Sequence, residues 1–306
     1  MENLTKLAEP SSRAQSPGSP SATLYAERQH ARKHSGVDAH LVSLVATDSY
    51  EAEQYRRLRL AVERMRKPGE SAIVGVCSPV AGDGKSVTSI NLAGALAQDP
   101  KARVLLVEID LHRPYTAIVD YLALDNPAGP GLVNVIQDPS LALDEVIRHL
   151  PAFNLSVLLG GSHSTSIYEI LESDRLGELL AEMRRRYDYI VLDAPPVVPV
   201  LDCRLIEKWV DGFIVVVAAH QTPRRMLEEA LNHLSPEKVM GLVFNRNDRP
   251  STYTYGYDYA YAHGYGRPMR RRRAGRRARM LRQRIKARPQ IGTIEASQQA
   301  EEKQGQ

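Results

Sequence analysis

A chain of 306 residues, 43% hydrophobic and 25% charged, is long enough to bury one sizeable core and still carry tails. Its only cysteines, Cys77 and Cys203, exclude a disulfide framework and lack metal-ligand spacing, which fits a reducing cytoplasm. The longest apolar runs, AIVGVC and FIVVVAA, fall far short of the ~20 residues a bilayer span requires, and MENLTKLAEPSS has no signal-peptide core, so neither membrane crossing nor export is expected.

Residues 1–45 carry Ser, Pro, Gly and Gln without apolar periodicity, in stretches such as EPSSRAQSPGSPSA, and read as disordered. From Tyr50 the pattern turns helical through EAEQYRRLRLAVERM. Short β-branched runs then alternate with amphipathic helices: AIVGVC, VLLVEID, LSVLLG, YIVLDA, FIVVVAA and VMGLVFN. Strands spaced by helices predict an α/β domain over residues 46–250, a doubly wound, mostly parallel sheet covered on both faces.

The first of these strands runs into SPVAGDGKSVTSINLAGALA, a Gly-rich loop that opens a helix. That context is the one a phosphate-binding loop demands. Gly82 and Gly84 let backbone N–H groups approach phosphate oxygens, Lys85 reaches the β and γ phosphates, and the Ser86 hydroxyl is suited to Mg²⁺; Asp83 and Val87 complete the expected nucleotide-binding stretch. Pro79 stands where GxxxxGK[ST] has its first glycine. Two later strands end in carboxylates. YDYIVLDAPPVV carries Asp193, and RVLLVEIDLHRP carries Glu108 and Asp110, two residues apart and so directed to one side. Like charges placed together need a cation, with Mg²⁺ and Arg113 as the candidates.

After Asn247 the regular pattern stops. In residues 251–266 a ladder, YTYGYDYAYAHGYG, sets Tyr253, Tyr255, Tyr257, Tyr259 and Tyr261 at every second position, with Tyr265 following. It is a poor core strand, because its other face would be Thr254, Gly256, Asp258 and Ala260. It reads either as a low-complexity tail or as a set of hydroxyls offered to an enzyme. Residues 267–306 begin with GRPMRRRRAGRRARMLRQRIKARPQ, which holds the excess behind the net charge of +4 and leaves the remainder acidic on balance. Ala274, Ala278, Leu281 and Ile285 fall at helical spacing within it, so an anionic membrane surface is a candidate partner. Nucleic acid is not the expected one, since no aromatic residues interleave the arginines.

Taken together, SPVAGDGKS, VEIDLHRP and YDYIVLDAPPV resemble the bacterial tyrosine kinases of capsule and exopolysaccharide synthesis, a branch of the P-loop ATPases. The similarity extends over about residues 50–265 and includes EQYRRLR, where Glu53, Arg56 and Arg59 match the family's oligomerisation motif. It implies a cytoplasmic ATP- and Mg²⁺-dependent autokinase, peripheral at the inner face of the membrane, that phosphorylates the tyrosine cluster of a neighbour in a ring. It also implies a transmembrane co-polymerase as activator and a cognate tyrosine phosphatase. Under it Asp110 is the metal ligand and candidate base, Glu108 stands for the family's other aspartate, Lys85 contacts phosphates, Ser86 and Asp193 serve Mg²⁺, and Asn245 meets the base. The chain departs from the family's Asp-x-Asp-x-Arg in having Glu108 and His112, with Arg113 displaced by one. Restoring aspartate at position 108 is accordingly expected to leave tail labelling unchanged or faster. A nucleotide-dependent scaffold with little kinase activity is the alternative that these departures favour. Val80 stands where the related partitioning ATPases have a lysine, which argues against that branch.

Overall fold

The computed structural model describes residues 36–112, 117–125, 129–162 and 166–247. Seven strands form one sheet: β1 (Ala72–Ser78), β2 (Val104–Glu108), β3 (Arg148–Leu150), β4 (Leu155–Leu158), β5 (Tyr189–Pro196), β6 (Gly212–Ala218) and β7 (Val239–Asn245). Their spatial order is β3-β4-β2-β5-β1-β6-β7, and every neighbouring pair is parallel except β3 with β4. All six strands expected from the sequence are present. The short β3 was not expected, because three half-exposed residues, Arg148, His149 and Leu150, have no apolar alternation to mark them.

The helices are α1 (Val42–Val45), α2 (Tyr50–Met65), α3 (Lys85–Leu96), α4 (Ala117–Leu122), α5 (Leu132–Gln137), α6 (Leu143–Val146), α7 (Ile167–Glu172), α8 (Asp174–Arg186), α9 (Asp202–Ile206) and α10 (Arg224–Asn232). Local chemistry sets their ends. The Ser49 hydroxyl accepts from the amide of Ala52 and starts α2, with Glu51 and Glu53 in its first turn. Ser173 does the same for α8, accepting from the amide of Arg175. Within α8, Leu176, Leu179, Leu180 and Met183 recur at helical spacing and are buried, while Arg184, Arg185 and Arg186 close its last turn.

Apolar runs without polar alternation work here because both faces of the sheet are covered. Ile73, Cys77, Leu105, Val107, Ile190, Leu192, Phe213 and Val215 face one core, which α8 completes. Val74, Val76, Val104, Leu106, Val191, Ile214 and Val216 face the other, completed by Ile90, Leu92 and Leu96 of α3. Gly75 of β1 faces the first core, and a Cβ there would overlap the ring of Phe213. Gly75→Ala is therefore expected to lower stability by about 3 kcal/mol through overpacking, read as a lower urea midpoint at unchanged slope.

One expectation needs correcting. Residues 36–45, assigned from sequence to a disordered segment, are packed on α3: Leu41 and Leu44 are 0% and 1% exposed, and Leu44 fills the space over Gly94. Asn91 fastens them, its Oδ1 accepting from the amide of Ser43 at 2.9 Å and its Nδ2 donating to the His40 carbonyl at 3.0 Å. A stretch this short cannot display a period, and its partner lies far along the chain. The rest of the N-terminal segment, the tyrosine ladder and the basic tail lie outside the described residues, as does Arg113.

Candidate nucleotide-binding and phosphotransfer site

The site grows from the carboxyl ends of β1, β2 and β5. Because β5 lies between the other two, its Asp193 is in register with Val76 of β1 and with Glu108 of β2. The loop after β1 reaches α3 through Gly82 (φ 91°) and Gly84 (φ 98°), both in the left-handed region that favours glycine. Gly84 has a second reason to lack a side chain, since a Cβ would collide with the amide of Asn245. The loop thus delivers Lys85 and Ser86 to the first turn of α3, as the sequence predicted.

Lys85 is 6% exposed, and its Nζ stands 2.6 Å from Asp110 Oδ2 and 3.9 Å from Asp193 Oδ1. Backbone geometry holds the two carboxylates together, because the amides of Ile109 and Asp110 both donate to the Asp193 carbonyl, at 3.0 and 3.1 Å. Glu108 joins them, its Oε2 accepting from the amide of Gly160 at 2.9 Å. Three buried carboxylates therefore face one ammonium. Burial pushes the Glu108 carboxyl up from 4.5 to about 7; the charges of Asp193 and Asp110 add to the rise, and the Gly160 amide and Lys85 oppose it. Burial likewise raises Asp193, against the pull of Lys85 and the Ser86 and Ser89 side chains.

The residues present suit a divalent ion bound together with a nucleotide. Asp193 Oδ1 is buried with no hydrogen-bond partner among the described residues, and Ser86 supplies a hydroxyl beside it. No group of three His, Cys, Asp or Glu among the described residues is placed to hold a metal alone. An ion here would take its remaining ligands from phosphates and water, as Mg²⁺ commonly does.

Three placements differ from simple expectation. Asn245 directs its Nδ2 to the carbonyl of Asp83 at 2.9 Å, so its amide braces the phosphate loop. Val87 is half-buried, its side chain packed against the second core. Glu53, Arg56 and Arg59 are engaged within the chain: Arg56 pairs with Glu53 and reaches the Thr47 carbonyl, and Arg59 bonds Glu63 at 2.6 Å and the Ala95 carbonyl at 3.1 Å. Arg59 thereby caps the carboxyl end of α3.

Sequence reasoning missed Asp202 and Thr222. His112 Nε2 sits 2.9 Å from Asp202, a carboxylate 0% exposed whose pKa burial raises, with His112 pulling it down. Thr222 Oγ1 donates to Asp83 Oδ1 at 2.6 Å. Both contacts join residues distant in sequence and carry no motif.

The model of the family described as AAA domain matches residues 72–234, just over half of the chain. The chain belongs to that family. The matched AAA domain holds the phosphate loop and all three carboxylates but stops before β7, so Asn245 reaches the loop from beyond it. Among curated relatives, the tyrosine-protein kinase ptk of Acinetobacter johnsonii is 32% identical over 213 residues, 69% of this chain and 28% of that one. The succinoglycan biosynthesis transport protein ExoP of Rhizobium meliloti is 30% identical over 211 residues, 64% of this chain and 25% of that one. The chain thus spans only about a quarter of the length of these two. The crystal structure of the VpsO kinase domain superposes with a TM-score of 0.54 at 29% identity, covering 65% of this chain and 99% of that one. A P-loop ATPase fold is common to the AAA domain and this neighbour. No helix among the described residues is long and apolar enough to cross a membrane.

Proposed function

We propose that this AAA domain is an ATP- and Mg²⁺-dependent protein-tyrosine autokinase that modifies the cluster from Tyr253 to Tyr265 on a neighbouring copy and serves exopolysaccharide synthesis beside a membrane co-polymerase. The observation that carries the reading is the convergence of Lys85, Asp110 and Asp193 on one loop, in a chain that also bears six closely spaced phenols.

A phenol of pKa ~10 needs an acceptor for its proton as its oxygen bonds to the γ-phosphorus and the bond to ADP breaks. Asp110 takes that proton. Lys85 and the amides of residues 82–87 meet the phosphate oxygens, while Ser86, Asp110 and Asp193 would hold Mg²⁺, Asp193 directly or through water. Bound there, the ion would neutralise charge on the β and γ phosphates. Glu108 supports this set from behind through Gly160. An extended tail of ~10 residues spans ~33 Å, enough to reach another copy's site. Incubating the purified protein with ATP and Mg²⁺ and blotting for phosphotyrosine tests the reading, and absence of label on the tail defeats it.

Self-association through Glu53, Arg56 and Arg59 belongs to the same proposal, since the three share a helix face. Changing Arg56 and Arg59 together to Ala is expected to weaken assembly and slow labelling. Loss of the bond to Ala95 should also cost about 1 kcal/mol of stability. Small-angle scattering together with thermal melting separates the two effects, and unchanged assembly removes the motif from the interface.

A second reading, a nucleotide-dependent scaffold with little kinase activity, is favoured by the pairing of His112 with Asp202, where the family has an arginine. The phosphotyrosine blot distinguishes it, because a scaffold would hydrolyse or bind ATP without labelling its tail. The basic tail completes the proposal as the segment that meets anionic lipid, from which phosphates on the adjacent ladder would release it.

A further inference from the structure

Asp83 is the one acidic residue of the phosphate loop, SPVAGDGKS. It brings a carboxylate one position before Gly84 and two before Lys85, into a segment whose task is to surround anions. Gly82 and Gly84 flank it, both with left-handed backbone, so the two links beside it are the most permissive in the loop. Yet Asp83 is only 3% exposed, and it is gripped at two points by residues from elsewhere in the chain.

Its carboxylate is taken by Thr222, in the turn between β6 and α10. Thr222 Oγ1 accepts from the Ala218 amide at 3.1 Å and donates to Asp83 Oδ1 at 2.6 Å, so both its roles are used within the chain. The backbone carbonyl of Asp83 is taken by Asn245 Nδ2 at 2.9 Å, through the space that Gly84 leaves open. The segments that carry the two gripping residues are also joined to each other. The Ala219 amide donates to the Asn245 carbonyl at 2.8 Å, and Arg246, which follows Asn245, donates to Gln221 at 2.8 Å.

We infer that Thr222 and Asn245 are positioning residues for nucleotide binding, which hold Asp83 by its carboxylate and its carbonyl and so keep that negative charge turned away from the phosphates. The inference rests on the nucleotide-binding reading of the loop. It gives Thr222 a role through Asp83 and not through contact with the ligand. The hydroxyl keeps a buried carboxylate satisfied; without it the hydrogen bond left to the carboxylate among the described residues is from the Val80 amide, 3.5 Å away, and the freedom of the flanking glycines lets it turn toward the anion it should avoid.

A double-mutant cycle tests this, read by equilibrium binding of a fluorescent ATP analogue with Mg²⁺ and by thermal melting without nucleotide. Thr222→Val, which keeps the shape and removes the hydroxyl, is expected to weaken binding about tenfold, a loss of about 1.4 kcal/mol. Thr222→Ser should bind like the parent. In an Asp83→Ala background the Thr222→Val change should leave binding unaltered, because the charge it restrains is gone, and should lower melting only by the smaller cost of the lost bond from the Ala218 amide. Equal losses in both backgrounds, or parental binding by Thr222→Val, would overturn the inference. If Thr222→Val alone does not fold, recovery of folding in the double variant supports the coupling, and failure of the double variant refutes it. The nucleotide-binding reading is checked separately by the parent and Lys85→Met: a parent that does not bind the analogue defeats that reading, while the melting cycle still decides whether Thr222 acts through Asp83.

Discussion

Lys85→Met is expected to abolish phosphotyrosine on the tail and, in the same protein, to lower the melting temperature by roughly 10 °C. Methionine keeps the length and apolar stem of the side chain and loses the charge. The first effect follows from phosphate neutralisation. The second follows from the ion pair itself. Lys85 is the cation beside Asp110 at 2.6 Å and Asp193 at 3.9 Å, all of them buried. Removing one member of such a set leaves charge without a partner, at a cost of about 3–5 kcal/mol, or roughly 2–4 °C per kcal/mol for a domain of this size. Adding Asp110→Asn to Lys85→Met should recover much of the melting temperature and none of the labelling. A Lys85→Met protein that still labels its own tail from ATP would remove the lysine from the mechanism, and unchanged melting would remove the argument about the buried pair.

Glu108→Asp is expected to lose both stability and labelling rate, the reverse of what the family pattern alone suggests. The site is built for the longer side chain. Glu108 Oε2 accepts from the Gly160 amide, and Leu111 and Glu108 together crowd the position where a Gly160 side chain would stand. Shortening the residue by one methylene leaves that amide unsatisfied in the interior, which costs about 1–3 kcal/mol, and shifts the carboxylate by about 1 Å, a displacement able to reduce turnover about 100-fold. Glu108→Gln isolates the charge. With a folded pKa of about 7 against 4.5 unfolded, the native state holds the proton over that interval while the unfolded chain has lost it. The contribution is fully present below pH 4.5 and is lost as pH rises to 7, on the order of 3 kcal/mol in all, and the glutamine variant should lack that slope. Urea midpoints measured between pH 4.5 and pH 8 without nucleotide check both sign and size. A parent protein whose stability does not fall across that interval would refute a buried, proton-holding Glu108.

Much of this site is legible in the sequence because its parts are local. Gly82, Gly84, Lys85 and Ser86 are consecutive or nearly so, and the glycines are required by backbone angles that other residues adopt at a cost. Asp193 is legible because it interrupts the apolar run of β5, and Glu108 because it closes the apolar strand β2. What was not legible depends on contacts between distant segments. Thr222 with Asp83, His112 with Asp202 and Asn91 with Ser43 are each a polar contact across a long stretch of chain. Nothing in a window of ten residues marks them. Residues 36–45 were misread for a related reason, since one turn of helix anchored by Leu41 and Leu44 is too short to show periodicity. At Asn245 the expectation was contact with the base, and the bond it makes to the Asp83 carbonyl was visible only in three dimensions.

The placement of β5 between β1 and β2 also has a consequence for synthesis on the ribosome. A nascent chain that has emerged as far as Asp110 already contains β1 and β2, yet these two never pair with each other: β2 gains a partner once β4 is made, while β1 waits for β5, which ends at Pro196. Until then β1, one of the most apolar segments in the protein, has no strand to pair with, and the pairing that rescues it is long-range and parallel, the slow kind. Asp110 and Asp193 likewise come together only at that step, so the electrostatic burden of the active centre falls on the chain once most of the hydrophobic sheet is available to bear it. Overproduction or a slow patch of translation before residue 189 is where this protein is most exposed to aggregation, and chaperone dependence should be concentrated there.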